Sequence, residues 1–98
     1  MADLGLAAKV RPVVIVSRND ENPPRVLFVY VPCTSQNRNS AYEVPLNRVV
    51  GLDPETVANV QGMGSLPGPR FLRRIAVLPP AEYQKVETAL RFLLGFSP

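Results

Sequence analysis

Apolar positions along this chain come in short runs separated by polar breaks rich in proline. Val13, Val14, Ile15 and Val16 form an unbroken run, mostly β-branched, entered through Pro12, which cannot donate to a ladder. Residues 18–24 carry turn chemistry, with Asn19, Asp20, Asn22, Pro23 and Pro24 and no apolar side chain outside the prolines. Residues 25–31 predict a second strand, apolar on both faces and therefore central, with Thr34 closing its end. The two runs predict an antiparallel hairpin across the polar loop. After the hydrophilic stretch 35–40, residues 42–46 alternate as a third strand, and Pro45 assigns it to an edge or a bulge. Asp53, Pro54 and Glu55 read as a turn or a short helical start. Residues 57–63 predict a weak strand broken at Gly62, and 64–69 a loop. Residues 71–78 predict the last strand, with Arg73 and Arg74 in its middle.

The periodicity then changes. Tyr83, Val86, Ala89, Leu90, Leu93 and Leu94 recur at three- and four-residue spacing and predict a helix with one apolar face. Pro80 suits its first position. Glu87 and Arg91 form an i,i+4 pair in the favourable order. Gly95 stands where a left-handed C-terminal cap is expected. The elements together predict a mainly β fold with one C-terminal helix, and a length of 98 residues predicts one domain over 1–98.

Composition narrows the chemistry more than it narrows the fold. The net charge is only +3, yet the basic side chains are nine Arg against two Lys. Arg presents a planar fork suited to phosphate, so the balance permits an RNA partner without demanding one. There is no histidine. Histidine acid–base pairs, histidine-oriented triads and most zinc sites are thereby excluded. Cys33 is the single cysteine; it forms no internal disulfide and reads as a small buried hydrophobe. No metal or cofactor is expected. Residues 4–8 are too short for a secretory core, and the apolar run 26–31 is far below membrane-spanning length. A soluble, cytoplasmic chain is expected.

Two polar groups stand at strand ends. Arg11 precedes the first apolar run, and Thr34 ends the second. An arginine and a hydroxyl held near each other on a rigid sheet offer one route to RNA cleavage without histidine or metal. Each also has a plainer reading. Arg11 can be a solvated residue at a strand start, and Thr34 a β-branched residue turning into a loop. Gln36, Asn37, Arg38 and Asn39 can hydrogen-bond splayed bases or simply form a hydrophilic turn. Arg73 and Arg74 can track phosphates, although adjacent strand residues point to opposite faces.

Four segments in order carry a resemblance. They are Lys9-Val10-Arg11-Pro12-Val13-Val14-Ile15-Val16-Ser17, Val31-Pro32-Cys33-Thr34-Ser35-Gln36, Tyr42-Glu43-Val44-Pro45-Leu46, and the closing helix over 82–95. With them the chain resembles the MazF/PemK family of toxin endoribonucleases over most of its length. The resemblance implies a small, strongly curved SH3-like barrel of the CcdB/MazF type with a C-terminal helix. It implies a homodimer, a cognate antitoxin, and metal-independent cutting of single-stranded RNA to 2′,3′-cyclic phosphate and 5′-hydroxyl ends. By the same resemblance Arg11 and Thr34 are the catalytic pair. Ser35, Gln36, Asn37 and Arg38 are taken as the RNA-binding residues.

The chain departs from the family pattern at two places. Relatives begin with a complete strand ahead of the Arg-Pro loop, whereas residues 1–5 here look like the tail of one. Either the start lies upstream, or the first strand is truncated and leaves a barrel edge to be covered. Relatives also frequently carry Gln and, two residues on, Lys or Arg where this chain has Gly62 and Gly64. Those glycines leave a second reading open. In it a catalytically degenerate barrel acts as a protein-interaction module, as CcdB-type binders on the same fold do.

Overall fold

Pro12 divides what would otherwise be one long strand. In the computed structural model, which describes residues 2–3, 10–18 and 20–96, Val10–Arg11 (β2) pairs antiparallel with Ala2–Asp3 (β1). Beyond Pro12, Val13–Ile15 (β3) pairs antiparallel with Leu27–Thr34 (β4), with Val13 opposite Pro32 and Ile15 opposite Tyr30. This is the hairpin the two apolar runs predict. β1 lies where the sequence offers the tail of a first strand; residues 4–9 lie outside those described.

Glu43–Pro45 (β5) and Val57–Asn59 (β6) complete the path, and the strand order is β3-β4-β6-β5. β5 therefore lies at the edge that Pro45 predicts. Gly64–Pro67 (β7) also pairs with β4. β6 and β7 share one side of β4, but not in one register. Cys33 faces Ala58 and Tyr30 faces Gly64, so two residues of β4 span five of the partner. The excess is taken up by a 3₁₀ turn, Val60–Gly62.

Two sequence expectations are corrected here. Residues 64–69 read as a loop because Gly64, Pro67, Gly68 and Pro69 are breakers, yet 64–67 are strand β7 and Gly68–Arg70 a 3₁₀ turn. Pairing to the long central strand overrides the local preference. Conversely, residues 71–78 read as the last strand, but only Phe71 makes an isolated bridge and 72–79 carry no ladder. Leu72, Arg73 and Arg74 are exposed, so that stretch offers no continuous face to bury.

Side chains alternate along β4, which gives the sheet two faces. Val31 and Cys33 turn inward and join Val44, Leu46, Val49, Ala58 and Val60 in the core. The helix Pro80–Leu94 (α1) closes that core with Val86 and Ala89, both buried, while Leu90 and Leu93 pack at its margin. Pro80 begins the helix as expected. Gly95 ends it at φ 73°, a left-handed cap whose N–H donates to the carbonyls of Arg91 and Phe92. Glu87 and Arg91 pair at 3.6 Å on the solvent side. The outer face carries Phe28, Tyr30, Pro32 and Thr34. Phe71 covers part of it, packing edge-on against Phe28 and Tyr30 at 5.8 and 6.2 Å between ring centroids.

Candidate functional site

The strand register carries Arg11 and Thr34 to the same end of the β3–β4 pair. The N–H of Cys33 donates to the carbonyl of Pro12 at 3.0 Å, continuing the β3–β4 ladder past its last paired residue. One step further, that register would set Arg11 opposite Thr34; in the structure β2 lies against β4 but ladders with β1, where Arg11 is paired with Ala2. Cys33 points inward, so its neighbour Thr34 points outward, and directly opposed residues share a face. Arg11 is exposed and Thr34 half-buried. Neither group is sealed inside.

The same register builds a small grid on this outer face. Thr34 is paired with Val57, and Val57 with Pro45, so the first row runs Thr34, Val57, Pro45. In the next row Val13 faces Pro32 and Asn59 faces Glu43. Val57 is buried even though it belongs to this face, and it lies outside the main core cluster.

The connection from β4 to β5 carries Ser35, Gln36, Asn37 and Arg38, all exposed. Its backbone is fixed by side chains at three points. The Thr34 Oγ1 accepts from the N–H of Gln36 at 3.2 Å, and Asn37 Oδ1 accepts from the N–H of Asn39 at 2.8 Å. Asn39 adopts a left-handed φ of 56°, which Asn tolerates well. The third point is Glu43. Its carboxylate accepts from the N–H of Arg38 at 3.1 and 3.0 Å, from the N–H of Ser40 at 3.1 Å and from the Ser40 hydroxyl at 2.8 Å. These bonds hold its pKa below the ordinary carboxylate value, chiefly through the Arg38 N–H and the Ser40 hydroxyl. Sequence reasoning passed over Glu43. The available signal was Ser40 three residues before a glutamate, the spacing of a capping box, here used without a helix.

Gly62 and Gly64 lie across from β4 on this face. A Cβ at Gly62 would stand 2.6 Å from Cγ of Pro32, and one at Gly64 3.0–3.2 Å from the ring and hydroxyl of Tyr30. β4 therefore fills the space in which larger residues at those positions would rise. Asn59, whose Oδ1 accepts from the N–H of Gln61 at 3.1 Å, holds the start of the intervening turn.

Arg73 and Arg74 stand apart from this grid. They line a cavity of about 530 Å³ between β3 and residues 71–78, together with Pro12, Cys33 and Tyr83. Cys33 is buried between strands, and burial pushes its thiol up to about 11. It is a packing residue, as expected.

Among the described residues no helix is long and apolar enough to cross a membrane. Comparison with the curated proteins returns no match. Solved structures give close matches. The Mycobacterium tuberculosis toxin MazF-mt6 is 26% identical with a TM-score of 0.85, over 99% of this chain and 95% of that one. A mycobacterial endoribonuclease in complex with its cognate antitoxin is 27% identical with a TM-score of 0.84, over 99% and 90%. The MazE–MazF complex of Deinococcus radiodurans is 27% identical with a TM-score of 0.75, over 89% and 84%. The architecture is that of the MazF toxins, as the four sequence segments imply. The PemK-like, MazF-like toxin family of type II toxin–antitoxin systems matches residues 3–94, and the chain belongs to it.

Proposed function

We propose that this chain is an active toxin ribonuclease that cuts single-stranded RNA without a metal ion and is neutralised by a cognate antitoxin. Endoribonuclease activity is the general function of the family. The observation that supports the reading for this member is that β2, which carries the exposed Arg11, lies against β4, which ends on the half-buried Thr34. In the proposed reaction the RNA 2′-oxygen attacks the adjacent phosphorus, forming the P–O2′ bond as the P–O5′ bond breaks. The 2′-proton leaves to solvent and the departing 5′-oxygen gains one. The products are a 2′,3′-cyclic phosphate and a 5′-hydroxyl.

The nucleophile belongs to the substrate, so the protein supplies orientation and charge stabilisation. The Arg11 guanidinium can donate to both nonbridging oxygens of the developing phosphorane. Thr34 accepts the Gln36 N–H at 3.2 Å, which orients its oxygen and leaves the hydroxyl proton to be donated to the same phosphorane. Arg11 acts as an electrostatic stabiliser, since a guanidinium is a poor proton donor near neutral pH. Ser35, Gln36, Asn37 and Arg38 hydrogen-bond unstacked bases. A homodimer is the proposed assembly.

The test is purified protein incubated with RNA in EDTA, followed by analysis of the new ends. Cutting that persists in EDTA, leaves cyclic phosphates and disappears in Arg11→Ala supports the reading. Metal-dependent cutting, or cutting that Arg11→Ala retains, refutes it. A second reading, a noncatalytic interaction module, rests on Gly62 and Gly64, which remove two side chains from the outer face. It predicts RNA left whole at high protein concentration while a protein target is retained on the immobilised chain.

A further inference from the structure

The loop that carries the proposed base contacts has no ladder of its own, and one carboxylate holds its far end. Glu43 lies on the outer face of edge strand β5, opposite Asn59 and one row from Thr34. It accepts from two backbone N–H groups, those of Arg38 and Ser40, and from the Ser40 hydroxyl. At the near end Thr34 fixes Gln36, so the residues between are clamped from both sides. The backbone N–H of Arg38 is fixed within hydrogen-bond length while its guanidinium stays exposed.

We infer that Glu43 is a positioning residue for base recognition: its carboxylate sets the backbone path over 37–40 and hence the direction in which Asn37 and Arg38 meet RNA. The inference rests on the nuclease reading above. Glu43 touches no reacting atom in this scheme. Its effect falls on binding and sequence preference, because an unclamped loop must be ordered by the substrate at each encounter. The bonds are charge-assisted and therefore stronger than neutral ones.

The experiment measures steady-state cutting of an oligonucleotide carrying the wild-type cleavage sequence, and maps cut sites in a long RNA by end sequencing. Glu43→Ala is expected to raise KM about tenfold, with kcat within about twofold, and to broaden the base preference beside the cut. Glu43→Gln keeps an oxygen that can accept from Ser40 and Arg38, and should recover most of the loss. Ser40→Ala removes one donor to the carboxylate, together with the acceptor of the Tyr42 N–H at 3.3 Å, and should raise KM about threefold; it serves as the probe should Glu43→Ala fail to fold. A fall in kcat at unchanged KM, an unchanged cleavage preference, or a Gln variant no better than Ala overturns the inference. Wild-type protein that cuts, Arg11→Ala that does not, and Glu43→Ala that behaves as wild type would sink this assignment alone. Absence of cutting by wild type would instead sink the nuclease reading.

Discussion

Thr34→Val isolates the proposed chemistry from the fold. Valine keeps the β-branched shape and the strand preference of threonine and removes only the hydroxyl. Two interactions are lost. The first is the exposed hydrogen bond from the Gln36 N–H at 3.2 Å, worth less than about 1 kcal/mol because that N–H can turn to water. The added methyl faces Val57, which is buried beside Thr34 and offsets part of the loss. The melting temperature should therefore fall by less than about 8 °C. The second loss is a donor to the phosphorane. Removing one such donor lowers kcat by about 10²–10³, or roughly 2.7–4 kcal/mol of transition-state stabilisation.

The two losses differ enough to be measured separately. A quenched fluorescent oligoribonucleotide gives the rate, and circular dichroism melting gives the stability. Thr34→Ser, which keeps a hydroxyl, should recover most of the rate. A folded Thr34→Val protein that cuts within about threefold of wild type refutes the argument, since no transition-state donor could then reside on that side chain.

Gly62→Ala tests the close approach to β4. At a glycine with negative φ and open space, alanine would stabilise by about 0.4–1 kcal/mol, but here the new Cβ meets the Pro32 ring at 2.6 Å. The expected result is a loss of about 1–3 kcal/mol in urea titration, and a gain would contradict the geometry. Cys33 is 4% exposed and its thiol is pushed up to about 11 by burial. A chromogenic disulfide reagent at pH 8 should therefore label it only as fast as the protein unfolds, whereas rapid labelling would place it at the surface. Glu43 titrates lower folded than unfolded, so its contribution to stability is present above the ordinary carboxylate value of 4.5 and lost as pH falls through the folded value. The groups facing it are Arg38 and Ser40 of its loop and Asn59 of β6. Glu43→Gln should flatten that acid limb of the stability curve, and an unchanged limb would remove Glu43 from the account.

The hairpin, the edge position of β5 and the helix with its caps were legible because each rests on local chemistry. A β-branched run, a strand proline, a 3.6-residue apolar stripe and a glycine after it speak without tertiary context. Residues 64–78 were not legible for the opposite reason. Gly64 and Pro67 look like loop residues until β4 is beside them, when Tyr30 covers Gly64 and Phe28 faces Leu66. Residues 71–78 look like a strand, yet in the structure 72–79 acquire no ladder. For the site, Arg11 and Thr34 were visible as strand-end groups. How near the two come depends on the hairpin register, which the long turn 18–24 does not fix. Glu43 was hidden because it stands inside an alternating strand, where a charged side chain normally means only that this face is wet.

The register also explains why two prolines flank this site in mid-sheet. The N–H of Cys33 is directed at β3, so by alternation the backbone groups of residues 32 and 34 are directed at the other neighbour. Pro32 thus presents no N–H just where the partner strand leaves β4 to form the 60–62 turn, and no donor is stranded there. Pro12 presents none on the rung next to Arg11 and Thr34. It accepts from Cys33 and donates nothing back, so the regular β3–β4 ladder ends there and β2 can turn away to pair with β1. Between these breaks Thr34 remains paired to Val57 on a rigid central strand. The arginine beside it sits on a short strand freed from the main ladder. In the proposed nuclease, that combination would hold the hydroxyl fixed and let the longer, exposed guanidinium close on a phosphate.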